Sequence, residues 1–215
     1  MSRLNFAFVA LLSAIILEGY PQSSGSKFLA LGDSYTIGES VTENERWPNQ
    51  LANELGISKP LIIATTGWRT DNLANAISIA KLKEEFDLVS LLIGVNNQYQ
   101  GKPIDKYALE FETLLNTSIR LANGRKENVF VVSIPDYGFT PFGMKNKDRI
   151  SLEIERYNEI AKKICSRIQV KYIDITDISR EGLSDPSLVA PDGLHPSGKM
   201  YALWTKRIAK IVTQK

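Results

Sequence analysis

The sequence predicts an α/β protein of one domain, three layers deep, with a five-stranded parallel sheet between layers of helices. Three observations predict it. From Lys27 onward, short apolar runs alternate with longer amphipathic segments. Each apolar run reads as a strand buried on both faces, as the strands of a parallel sheet are. The length of 215 residues suffices for one full core and falls short of two ordinary domains.

The elements follow in order. Phe28 to Leu31 is the first strand, and Trp47 to Leu55 the first helix, with Pro48 in its opening turn, where a missing N–H costs nothing. Strands at Leu61 to Ala64, Leu88 to Ile93, Val129 to Ile134 and Val170 to Ile173 then alternate with helices at Asp71 to Glu84, Ile104 to Ala122 and Ile150 to Ile168. A last helix runs from Ser197 to about Val212. Strands separated by helices of that length pair in parallel through right-handed crossovers. Trp47 is expected in the core. Cys165, the only cysteine, is expected as a small buried hydrophobe on its helix. No internal repeat, linker or low-complexity segment interrupts the pattern.

Composition narrows the function classes. Hydrophobic and charged fractions of 43% and 23% are those of an ordinary globular protein. The net charge is +2 and no Lys/Arg run interleaves with aromatics, so nucleic acid is not an expected partner. One histidine and one cysteine cannot furnish the usual metal clusters. No glycine loop of the phosphate-cradling kind is present, so no cofactor is expected.

The N-terminus reads differently. Arg3 gives a positive start, Phe6 to Leu17 is an apolar run, and Gly19 to Ser26 is small, polar and turn-forming. That is the layout of a secretory signal, and the run falls short of the roughly 20 apolar residues of a membrane span. Residues 1–26 are therefore expected to direct export to a periplasmic or secreted location. An uncleaved anchor stays open, because no Ala-x-Ala cleavage site is present, and membrane proximity is expected through this segment only. Residues 27–215 form the expected folded domain.

In open parallel sheets, ligands bind outside the carboxyl ends of the strands. Ser34 follows strand one, Gly67 strand two, Asn96 and Asn97 strand three, and Pro135-Asp136-Tyr137-Gly138 strand four. Asp192 and His195 lie in the stretch between strand five and the last helix. A serine hydroxyl becomes a useful nucleophile when a neutral imidazole, oriented by a carboxylate, takes its proton. If the chain uses that chemistry, the base can only be His195.

These blocks resemble the SGNH hydrolases, also called the GDSL esterase and lipase family. Gly32-Asp33-Ser34-Tyr35 is similar to the family's first block, Gly67 to the second, Gly94-Val95-Asn96-Asn97 to the third and Asp192-Gly193-Leu194-His195 to the fifth. The resemblance spans about Phe28 to Trp204. It implies a flavodoxin-like SGNH-hydrolase fold and a serine ester hydrolase with Ser34 as nucleophile, His195 as base and Asp192 as orienter of the imidazole. It also implies an oxyanion hole from the backbone N–H groups of Ser34 and Gly67 and the side-chain amide of Asn96. Two positions depart from the family pattern. Asn97 stands where the third block usually ends in aspartate, and Tyr35 replaces the commonest residue after the serine.

Candidate substrate contacts are Tyr35, Trp68, Arg69, Asn97, Tyr99, Asp136 and Tyr137. Tyr35 either packs or lines the pocket. Trp68 and Arg69 either reach over it or lock their loop, and Asp136 to Gly143 is the best candidate for a substrate-contacting loop. Asp33 is expected to shape the nucleophile turn rather than act as a second acid. The expected partner is a small-molecule ester, either a short-acyl (acetyl) ester of a saccharide or a lysophospholipid or acyl thioester. A carbohydrate- or lipid-binding protein that has lost catalysis is the competing reading, since fold does not imply function.

Overall fold

A computed structural model describes residues 25–82 and 85–214. Five strands form one sheet: β1 (Phe28–Gly32), β2 (Leu61–Ala64), β3 (Leu88–Leu92), β4 (Val129–Val132) and β5 (Lys171–Ile173). Every pairing is parallel and the spatial order is β2-β1-β3-β4-β5. That is the flavodoxin-like order, in which the chain first moves to one side of β1 and then to the other. The register sets Gly32 beside Ala64 of β2 and Leu92 of β3, so three strands end level.

The helices are α1 (Ser34–Ile37), α2 (Trp47–Glu54), α3 (Thr70–Ala80), α4 (Val95–Tyr99), α5 (Ile104–Leu121), α6 (Lys147–Ile168), α7 (Thr176–Ser179) and α8 (Gly198–Val212). Helices α2 and α8 pack on each other, while α3 packs on α5 and α5 on α6. These two groups are the outer layers. Trp47 is fully buried with its ring against Phe28 and Phe130, so it belongs to the core as expected. Cys165 is buried as well, and burial pushes its thiol up to about 12, which leaves it protonated and inert.

Three expectations need correction. The edge strands β2 and β5 are not buried on both faces, and Leu61 is 45% exposed, because an edge strand has a sheet neighbour on one side only. Helix α6 starts at Lys147 rather than Ile150, extended by a 3-10 turn at Met144–Asn146 that runs into it. Helix α3 ends at Ala80, where Lys81 turns left-handed at φ 46°. The expected continuation to Glu84 ends on residues 83 and 84, outside the described residues. The proposed signal or anchor lies almost wholly in residues 1–24, also outside them. Among the described residues no helix is long and apolar enough to cross a membrane.

Candidate active site

The turn after β1 is built by Asp33. Its carboxylate accepts the N–H of Tyr35 at 3.1 Å, capping α1 so that Ser34 is the first helical residue. A first-turn N–H has no intrahelical partner, so the Ser34 N–H is available beside its own hydroxyl. Burial pushes the Asp33 carboxyl up to about 7, against the pull of that bond from Tyr35.

Asp192 and His195 come from the loop before α8. One carboxylate oxygen of Asp192 accepts the N–H groups of Leu194 and His195, both at 2.9 Å, which folds the loop into a tight turn with Gly193 at φ 74°. The other oxygen lies 2.6 Å from His195 Nδ1 and accepts the hydroxyl of Ser40 at 2.6 Å. Burial raises the Asp192 carboxyl, but the bonds from Ser40, His195 and Leu194 outweigh it and hold the group well below the usual carboxylate range. An ionised carboxylate only accepts, so Nδ1 carries the proton and Nε2 is left as the acceptor. His195 is buried, and its imidazole packs edge-on to Tyr35, ring centroids 5.6 Å apart.

Ser34, Gly67, Asn96 and His195 line one cavity of about 290 Å³, walled further by Tyr35, Thr66, Val95, Tyr99, Tyr137, Phe142 and Leu194. The Asn96 amide donates to the Trp68 carbonyl at 3.0 Å, which orients it and leaves its second N–H uncommitted. Gly67 sits at φ 82° with open space where a Cβ would be. Its requirement is therefore the left-handed backbone, not a close protein neighbour.

Of the candidate substrate contacts, Tyr35, Tyr99 and Tyr137 line this cavity, and four others do not. Asn97 is buried and bonded to Thr70, accepting its N–H at 3.1 Å and donating to its hydroxyl at 2.7 Å. Arg69 is paired with Asp71 at 2.9 Å and Gln100 at 2.7 Å, and Trp68 packs against the core. The two lock their loop. Asp136 is fully buried, bonded to the Gly138 N–H and to Arg180, both at 3.0 Å, so it shapes the 136–143 loop rather than facing the cavity. Sequence reasoning missed Ser40, Thr66 and Leu194, while Phe142 lies in the 136–143 stretch expected to contact substrate. The Phe142 N–H donates to the Gly193 carbonyl at 3.0 Å, which ties this wall to the histidine loop. Among the described residues no group of His, Cys, Asp and Glu could hold a metal ion.

Comparison with known proteins agrees in family and fold. The profile of the GDSL-like lipase/acylhydrolase family matches residues 30–203. A G-D-S-L family lipolytic protein from Veillonella parvula is 18% identical, with a TM-score of 0.68 over 89% of this chain and 100% of its own. An acetylxylan esterase from Geobacillus stearothermophilus is 19% identical, with a TM-score of 0.69 over 89% of this chain and 96% of its own. Catalytic mutants of that esterase carry alanine in place of a serine or a histidine. At these identities the structural likeness is one of fold. No curated protein sequence matches the chain.

Proposed function

The chain belongs to the GDSL-like lipase/acylhydrolase family and is a carboxylic ester hydrolase, and from that premise we propose that it works through an acyl-enzyme on Ser34. His195 Nε2 takes the hydroxyl proton as Ser34 Oγ bonds to the acyl carbon. The carbon–alkoxy bond then breaks and the alcohol leaves with that proton. Water, deprotonated by the same nitrogen, releases the carboxylic acid and restores Ser34. Negative charge on the carbonyl oxygen at each tetrahedral stage is met by the N–H groups of Ser34 and Gly67 and the Asn96 amide.

The observation that carries this reading is the common cavity: Ser34, Gly67, Asn96 and His195 face it together, with Asp192 on the far nitrogen of the imidazole. The serine and histidine replaced in the catalytic mutants of the Geobacillus esterase support the same pair of roles here. A cavity of about 290 Å³ falls just under the roughly 300–1,000 Å³ of small-molecule sites. It favours a short acyl group, an acetyl ester of a saccharide, over a lysophospholipid or acyl thioester. Export of the enzyme is proposed on the composition of residues 1–26, and mass spectrometry of the mature N-terminus tests it.

The test of function is hydrolysis of p-nitrophenyl esters from acetate to palmitate by the protein lacking residues 1–26, beside Ser34→Ala. Turnover greatest on acetate and absent in the variant is the expected result. A palmitate optimum transfers the assignment to lipid esters. Equal turnover in Ser34→Ala ends the mechanism, and none on any ester points to the binding protein.

A further inference from the structure

The acyl cavity opens onto a second, larger space. A groove of about 520 Å³ shares Tyr99, Tyr137 and Phe142 with it. These three rings form a continuous ridge, with centroids 6.2 to 6.4 Å apart. Tyr99 and Phe142 are 59% and 51% exposed, so the ridge offers apolar ring surface to whatever enters the groove.

Beyond the ridge the groove is charged. Lys102, Arg149 and Arg156 line it with a single acid, Glu153. Glu153 is engaged by Arg149 at 3.5 Å and by the Gln98 amide at 2.5 Å. Lys102 and Arg156 make no ion pair with any described residue. The chain as a whole is close to neutral at +2, so two unpaired cations in one concave wall are a local feature. Concave walls of one sign concentrate the opposite charge.

We propose that this groove holds the alcohol side of the ester and selects an anionic saccharide there. The proposal rests on the ester-hydrolase reading and deepens it. Once the acyl group occupies the cavity at Ser34, the alcohol must leave by an open side, and the ridge of Tyr99, Tyr137 and Phe142 leads to the groove. Exposed ring faces beside a polar wall suit a sugar, whose apolar CH face can stack while its hydroxyls bond outward. The positive charge at Lys102 and Arg156 then favours a carboxylate or phosphate on that sugar over a neutral one.

The test compares kcat/KM on matched mono-acetylated trisaccharides: neutral galactose, galacturonate, and galactose carrying a terminal phosphate. At low ionic strength an anionic substrate is expected to be preferred by roughly five- to tenfold, the scale of two exposed charge pairs. Sodium chloride at about 0.5 M should shrink the preference, because it shortens the screening length to a few ångströms. The ratio of anionic to neutral kcat/KM should fall toward one in Lys102→Gln/Arg156→Gln and persist in Lys210→Gln, a charge removed from the far helix α8. Preference in the carboxylate arm, the phosphate arm or both supports the site and identifies the anion. Equal rates on all three substrates overturn it, as does a preference that survives the double substitution. Wild-type turnover of p-nitrophenyl acetate that is lost in Ser34→Ala keeps the esterase reading standing whatever the groove does.

Discussion

Asp192→Asn isolates the tautomer argument from the folding of its loop. Asp192 receives four donors: the N–H groups of Leu194 and His195 on one oxygen, and the Ser40 hydroxyl and His195 Nδ1 on the other. Asparagine has one oxygen and one NH₂. If the NH₂ faced the two backbone N–H groups, neither of which can accept, the turn would lose both bonds. The amide therefore keeps its oxygen there and turns its NH₂ toward Ser40 and His195. Ser40 can rotate and accept. The imidazole can accept only by moving its proton from Nδ1 to Nε2, the nitrogen that must be bare to act as base.

The turn survives and the base is lost, so kcat should fall by roughly 10⁴, about 5.4 kcal/mol of barrier at 1.36 kcal/mol per decade. The assay is p-nitrophenyl acetate hydrolysis at saturating ester, with urea unfolding of the same preparation. Stability should change by less than about 1.5 kcal/mol, the usual worth of one hydrogen bond. A kcat within tenfold of wild type, in a folded protein, refutes the reasoning, because it means the carboxylate does not set the tautomer.

Two further outcomes are expected. Asn96→Ala should lower kcat by about 10² to 10³ with little change in KM, measured by steady-state kinetics; an unchanged kcat would remove Asn96 from the oxyanion hole. Asp33→Asn should alter the pH dependence of stability. The folded-state value of about 7 lies above the ordinary 3.8, so the folded protein binds this proton more tightly than the unfolded chain. The stabilisation is fully present below about pH 4 and is lost as pH rises to about 7, on the order of 4 kcal/mol at 1.36 kcal/mol per decade. The gap between wild type and variant, read from denaturant unfolding at pH 4 and pH 8, should shift toward the variant at pH 8; parallel profiles would show that Asp33 does not titrate in this window.

What the sequence made legible was the chemistry at strand ends. A buried strand announces itself by its apolar run, and the polar residue that follows it has little choice but to stand at the sheet's carboxyl edge; Ser34, Gly67 and Asn96 were found that way. The short helices α1 and α4, four and five residues long, were invisible, since neither completes two turns of a 3.6-residue period. That blindness explains the misplaced Asn97. Neighbours on a helix point about 100° apart, so when Asn96 faces the cavity Asn97 must turn inward, where it holds Thr70. In an assumed loop both could have faced the substrate. Ser40 escaped because its partner, Asp192, is distant in the chain and nothing local marks the pairing. The edge position of β2 was equally hidden, since crossover direction rather than residue type decides which apolar run ends at the rim.

The strand order also divides the work within the site. Because β2, β1 and β3 are neighbours, the loops that carry Gly67, Ser34 and Asn96 leave three adjoining strand ends, and ladder hydrogen bonds fix the spacing of the proposed nucleophile and its three proposed N–H donors. The loop of His195 comes after β5, at the opposite edge of the sheet, and is held outside the sheet by an antiparallel bridge between Val189 and Pro196, with the Ala190 N–H donating to the His195 carbonyl at 2.7 Å. It is brought back by the packing of α8 on α2 and by two contacts that reach across to the β1 side: Tyr35 against the ring and Ser40 on Asp192. In the proposed mechanism the N–H donors and the base are therefore held by different parts of the fold, and the alignment of imidazole with serine depends on how the two parts meet. The Ser40–Asp192 bond is one joint between the two halves, and it is made by the same carboxylate oxygen that faces His195 Nδ1.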